Sequence, residues 1–178
     1  LHGARRSQHH RCFRVYEETE SAAYRDGSPR IALGLSQPFD HYLFVEKSKD
    51  RVNVLRAMVD KDFPALSPRC EFELGDANDV LRSWCASQNW AKTRAVAFLD
   101  PYGMQVHWNT IEALAATKGV DVWYLFPLGV GVARLLKRGG NISEEWQRAL
   151  DMLFGTQEWR ARFYPPQKQQ DFFGGEGT

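Results

Sequence analysis

Two kinds of hydrophobic pattern alternate along this chain. Short, nearly continuous apolar runs occupy 41–46 (His-Tyr-Leu-Phe-Val-Glu), 94–99 and 121–126, and 70–74 (Cys-Glu-Phe-Glu-Leu) is a further short strand pattern. Between them apolar residues recur every three or four positions. Val52, Leu55, Val59 and Phe63 do so in one stretch, Val80, Leu81 and Trp84 in a second, and Trp146, Leu150 and Leu153 in a third. The runs have strand length and the spaced patterns have helical period. The pattern predicts helices over 28–34, 50–62, 79–87, 108–118, 131–138, 143–154 and 156–164. Ser28 at the cap with Pro29 in the first turn starts the first of these. Gly119 and Gly155 are placed to close the fourth and sixth. Residues 1–14 are basic and polar without a period, and 14–27 reads as loop. The tail from Pro165 is polar and glycine-rich.

Strands that alternate with helices are the pattern of βαβ units and a parallel sheet. The fold class expected is therefore α/β. Right-handed crossovers put every strand's carboxyl end on one edge of such a sheet. The run Ala95-Val96-Ala97-Phe98-Leu99 suits a strand buried on both faces, and it stops at Asp100-Pro101-Tyr102-Gly103 because proline cannot continue a ladder. Ligands bind at that edge in open α/β sheets. Glu46, Asp76 and Asp100 each follow a different strand and converge there.

Size and composition narrow the class. The 178 residues, 43% hydrophobic and 25% charged, suffice for one α/β domain over 1–164 with a tail over 165–178. Cys12, Cys70 and Cys85 are odd in number and form no CxxC, so neither a disulfide framework nor a zinc site is indicated. His2, His9, His10, His41 and His107 show no metal-ligand spacing. No apolar run has membrane-spanning length. A reduced, cytoplasmic chain is the simplest expectation, and a first residue that is Leu rather than Met reads as a fragment. The net charge of +1 decides nothing about nucleic acid, but Arg5, Arg6, Arg11 and Arg14 cluster, as do Arg134, Lys137 and Arg138. Such patches steer polyanions or form a solvated surface.

Each acid has two readings. Glu46 can accept ribose hydroxyls, as an acid ending the second strand of a nucleotide-binding half does, or be a solvated strand end. Asp76, after Gly75, can face an adenine amino group or cap the next helix. Asp100 and the Pro101 carbonyl give two fixed acceptors that can hold an amine, with Tyr102 as a stacking face; otherwise Asp100 caps a loop. His107 is either at the site or a surface histidine at a helix start. The tryptophans read mostly as core.

Several of these segments together resemble the three-Cys-motif partner proteins. They are Gly27-Ser28-Pro29 with Ile31-Ala32-Leu33, Phe44-Val45-Glu46, Gly75-Asp76-Ala77-Asn78, Phe98-Leu99-Asp100-Pro101-Tyr102-Gly103, Trp108-Asn109-Thr110-Ile111, Thr117-Lys118-Gly119-Val120-Asp121, and Phe154-Gly155 with Trp159 and Phe163-Tyr164. The resemblance covers about residues 24–164. It implies a Rossmann-like, methyltransferase-type parallel sheet and an S-adenosylmethionine-dependent enzyme, with a three-Cys-motif protein as partner. It also implies roles: Glu46 on the ribose, Asp76 and Ala77 on the adenine side, and Asp100, Pro101 and Tyr102 on the methionine end or the acceptor. The triplet Asp100-Pro101-Tyr102 is similar to the Asp-Pro-Pro-Tyr of amino-methyltransferases acting on nucleobases, without the second proline. If the acceptor is a nucleobase, Arg134, Lys137 and Arg138 are the phosphate contacts.

One departure stands out. Family members carry Asp-x-Phe-Ala-Gly-x-Gly on the first strand, whereas residues 10–16 here read His-Arg-Cys-Phe-Arg-Val-Tyr. The expectation is a sheet incomplete at both ends, lacking its central strand. Two other readings compete with the methyltransferase. One is a partner module that kept the fold and lost cofactor binding. The other is an NAD-dependent oxidoreductase, against which the absence of GxGxxG counts.

Overall fold

A computed structural model describes residues 27–101, 103–136 and 141–165, the side chains of 130, 131 and 134 apart, together with the backbone of 9–16. Its strands are β1 (His9–Tyr16), β2 (His41–Glu46), β3 (Cys70–Leu74), β4 (Thr93–Asp100) and β5 (Val120–Tyr124). They form one five-stranded sheet in the order β3-β2-β1-β4-β5, and every neighbouring pair is parallel. The chain therefore builds outward from β1 to β3, then returns to place β4 on the other side of β1. The direction of winding reverses between β1 and β4, which opens a crevice at the carboxyl ends there.

The helices are α1 (Ser28–Leu33), α2 (Lys49–Asp62), α3 (Ala77–Ser87), α4 (Trp108–Ala116), α5 (Ala133–Leu135), α6 (Glu144–Phe154) and α7 (Trp159–Phe163). Alternation along β2 sorts them onto two faces. Leu43 and Val45 pack with Leu81, Trp84 and Cys85 of α3 and Leu114 of α4, against Ala95, Ala97 and Leu99 of β4. Tyr42 and Phe44 point the other way and pack with Leu33 of α1 and Val59 of α2. A satellite core joins Val132, Leu135, Leu150, Leu153 and Trp159 beside the end of β5. Among the described residues no helix is long and apolar enough to cross a membrane.

The predicted β2 and β3 match residue for residue, and β4 gains one residue at each end. Several expectations need correction. The central strand is present: His9–Tyr16, read as aperiodic and loop, pairs with β2 on one side and β4 on the other. Flanking strands satisfy its backbone on both sides, and that tertiary pairing overrides the weak local pattern. The 94–99 run is fully buried on one face, and Val96 and Phe98 on the other face are only partly buried. The 121–126 run is shorter as a strand, ending at Tyr124, and it is the sheet's edge rather than its interior. Trp123 and Trp108 are accordingly exposed rather than core.

At the helix ends, Gly27 rather than Ser28 occupies the first cap. Thr117 rather than Gly119 caps the fourth helix, with Lys118 in the left-handed region at φ 53°. Gly119 serves a different need, because a Cβ there would lie 2.6 Å from the Trp90 ring. The segment predicted as one helix over 131–138 is a wide helical turn, Leu128–Val132, running into the short α5.

Candidate functional site

Glu46 is the last residue of β2 and only 4% exposed. Its place is fixed by neighbours on both sides. The Glu46 carbonyl accepts from Gly75 N at 3.0 Å, which ties the end of β2 to the turn after β3. Its side-chain Oε1 accepts from Ser48 N at 2.9 Å. The other oxygen, Oε2, lies 3.7 Å from Arg51 Nη1 and accepts no hydrogen bond. A contact of 3.7 Å is an ion pair without a hydrogen bond. A buried carboxylate oxygen left in that state is costly unless a further donor reaches it.

Asp76 ends the neighbouring turn in a different condition. It is the N-cap of α3, and its Oδ1 accepts from the backbone N of Asn78 at 2.8 Å. Oδ2 pairs with Lys47 Nζ at 2.8 Å. The hydrogen bond from Lys47 leads the causes that hold the Asp76 carboxyl down at about 2, and the bonds from Asn78 add to it against the opposing effect of burial. The capping role is therefore real, and both oxygens are engaged.

Asn78, which the sequence motifs do not single out as a site residue, is the best-connected side chain in the region. It is 7% exposed. Its Nδ2 donates to Asp76 Oδ1 at 3.0 Å and to the Gln105 carbonyl at 2.9 Å. Its Oδ1 accepts from His107 N at 3.0 Å and from the buried Thr110 hydroxyl at 2.9 Å. One amide thus clamps the loop after β4 to the start of α3. A signal for it exists in the sequence: Asn78 shares the helical stripe of Leu81 and Cys85, a polar group on an apolar face. Thr110 bears the same relation to Leu114 on α4.

These groups line a narrow cleft. Val45, Glu46 and Lys47 from the end of β2, Gly75, Asp76, Ala77 and Asn78 from the turn after β3 and the start of α3, and Gln105, Val106 and Thr110 from the segment after β4 all line it. Glu46 also lines a second cavity of about 370 Å³, between α1 and α2, with Pro29, Arg51, Val54, Leu55 and Met58. It thus stands in the partition between the two hollows. The size and mainly apolar lining of the second are those of a small-molecule site.

Of the residues singled out in the sequence, Glu46, Asp76 and Ala77 come together. Asp100 ends β4 as expected, and Gly103 two residues past Pro101 takes the left-handed φ of 72° that a glycine adopts freely. Neither Asp100 nor Pro101 lines the cleft; Gln105, Val106 and Thr110 of the following loop and helix do. His107 sits in a separate hollow with Trp108, Glu112 and Asp151. Tyr102, Lys137 and Arg138 lie outside the described residues, as does the tail from 166, and of Arg134 only the backbone, in α5, is described.

Cys70 and Cys85 carry free thiols whose ionisation burial pushes up to about 11, so neither is an activated nucleophile. Among the described residues no group of three or more His, Cys, Asp or Glu could hold a metal ion. The site's chemistry is thus that of hydrogen-bond acceptors at a strand edge. Comparison with family models, curated proteins and solved structures gives no match to this chain. The likeness to the three-Cys-motif partner proteins rests on the quoted residues alone.

Proposed function

We propose that the chain binds a nucleoside cofactor, S-adenosylmethionine, at the carboxyl edge of the sheet and is a methyltransferase of the three-Cys-motif partner type, with a Rossmann-like fold. The observation that carries this is the buried, unaccepted Oε2 of Glu46 at the end of β2. A ribose hydroxyl is the donor that suits it, since vicinal hydroxyls can bridge a carboxylate held by one backbone bond. The strand order β3-β2-β1-β4-β5 supports the reading, because it puts a switch point beside this acid.

The residues present fit such a group. Glu46 would hold the ribose. Ala77 and Val106 supply apolar lining to the cleft, which is narrow, about 30 Å³ in volume. Asp76, bonded to Lys47 and Asn78, would shape the rim on the adenine side. The bound cofactor supplies an electrophilic methyl group. Asp100 and the Pro101 carbonyl would orient an acceptor amine, so that geometry supplies much of the rate. The acceptor is proposed as an amino group of a nucleobase or another planar molecule, with a three-Cys-motif protein as partner.

A second reading has its own observation. Residues 17–26, which follow β1, contain no glycine and carry Glu17, Glu18, Glu20 and Asp26. A sequence of that composition supplies no glycine for close backbone approach to a cofactor, and its acids repel a carboxylate. It favours a partner module that kept the sheet and lost the donor. Calorimetric titration of the full chain separates the two. The methyltransferase reading expects saturable binding of S-adenosylmethionine and none of NAD. Binding of neither compound supports the module, and tighter binding of NAD supports an oxidoreductase.

A further inference from the structure

We infer that β5 is a dimerisation edge, paired antiparallel with β5 of a second copy of this chain about a two-fold axis at Val122. The argument starts from the sheet's two edges. Edge strands invite pairing unless charge, brevity or cover blunts them. The β3 edge is blunted: Glu71 and Glu73 are exposed along it, and the Arg56 guanidinium covers Phe72 at 4.6 Å from the ring centroid. The β5 edge has one acid, Asp121, and exposes Val122 and a Trp123 that is 66% accessible.

The exposed apolar surface continues past the strand. Leu125, Phe126 and Leu128 follow it, all exposed. Ring contacts carry the surface on from Phe126 to Phe154 at 6.2 Å and from Phe154 to the exposed Phe163 at 6.5 Å. With large side chains burying roughly 150–250 Å² each when fully covered, these exposed parts offer on the order of 500 Å² per copy. A pair then buries on the order of 1,000 Å² before the strand backbones are counted, which reaches the threshold for a specific interface.

Register and charge select the occupant. A two-fold axis perpendicular to an antiparallel pair sets one residue opposite its own copy. With Val122 in that position all five strand residues pair, Asp121 lies opposite Trp123 of the second copy, and no two acids meet. Shifting the axis to Asp121 would set two carboxylates face to face, which destabilises a strand pair. The self-complementary strand therefore suits an isologous contact, the commonest kind in homo-oligomers.

The test is sedimentation velocity on the full chain, with hydrogen exchange on β5. The inference expects a concentration-dependent dimer and β5 amides whose protection rises with dimer fraction. Trp123→Lys, at a side chain that no described residue covers, should weaken dimerisation by about tenfold or more, as a lysine on an edge strand does. Val122→Lys should do the same at the axis, and far-UV circular dichroism reports whether each variant is folded. Glu73→Lys on the opposite edge should leave the dimer intact. A monomer at all concentrations overturns the inference, and β5 amides protected in that monomer would mean that another part of the chain covers the edge. A dimer indifferent to Trp123→Lys also overturns it.

Discussion

Glu46 ends β2 and Asp76 follows β3, next to the Gly75 whose N–H donates to the Glu46 carbonyl, yet the fold uses the two acids in opposite ways. Asp76 is saturated: it caps α3, accepts from Asn78 twice and pairs with Lys47. Glu46 is more deeply buried and less satisfied, with one oxygen on Ser48 N and the other accepting nothing. A protein that wanted only stability would not bury a half-satisfied carboxylate. The difference teaches that carboxylates at one sheet edge are not interchangeable as site candidates. The acid whose bonds are complete holds the fold, and the acid whose bonds are incomplete is the one we propose a ligand completes.

That contrast can be broken at three points. The largest effect is expected at the clamp. Asn78→Ala strands the buried Thr110 hydroxyl and takes this partner from the His107 N–H and the Gln105 carbonyl, and should lower unfolding free energy by about 3 kcal/mol in urea titrations. A loss under about 1 kcal/mol would mean that the network is not holding the loop. Asp76→Ala removes the cap and should cost about 1–2 kcal/mol by the same measurement, since Asn78 keeps its other partners.

The smallest effect is at Lys47, more than half exposed in its pair with Asp76. Lys47→Ala should change stability by less than about 1 kcal/mol. It should instead move the Asp76 carboxyl up from about 2 toward the ordinary carboxylate range, as read by NMR titration. The sign follows from the depressed value. The folded state holds Asp76 ionised more strongly than the unfolded state does, so its contribution is complete above about pH 4 and fades as pH falls toward 2. In Lys47→Ala the fading should be smaller, because the two states then titrate more nearly together.

The strands β2 and β3 could be read from sequence to the residue because their strand patterns are bounded by turn chemistry on both sides. Residues 9–16 could not, since their position between two other strands is a tertiary fact with no local signature. The same limit hid the exposure of Trp123: an apolar run tells that a strand is favourable, not whether another strand lies beyond it. At the site, Glu46, Asp76 and Ala77 were visible through the rule that parallel strands end on one edge. Asn78 was not, because next to a capping Asp it looks like ordinary turn polarity; only its place on the Leu81–Cys85 stripe betrays it. Asp100 stands apart from the lining of that cleft. It does end its strand at that edge, but the loop that follows brings Gln105, Val106 and Thr110 to the wall instead.

The most direct test of the central claim is Glu46→Gln, with unfolding and S-adenosylmethionine titration measured on the same preparation. Neutralising an incompletely bonded buried carboxylate should leave stability equal to or above that of the unaltered chain. Loss of the charged acceptor should weaken cofactor binding by about tenfold or more, the ~1.4 kcal/mol or more of a hydrogen bond to a charged group. Unchanged affinity together with a clear loss of stability would contradict the account, and would make Glu46 a structural acid like Asp76.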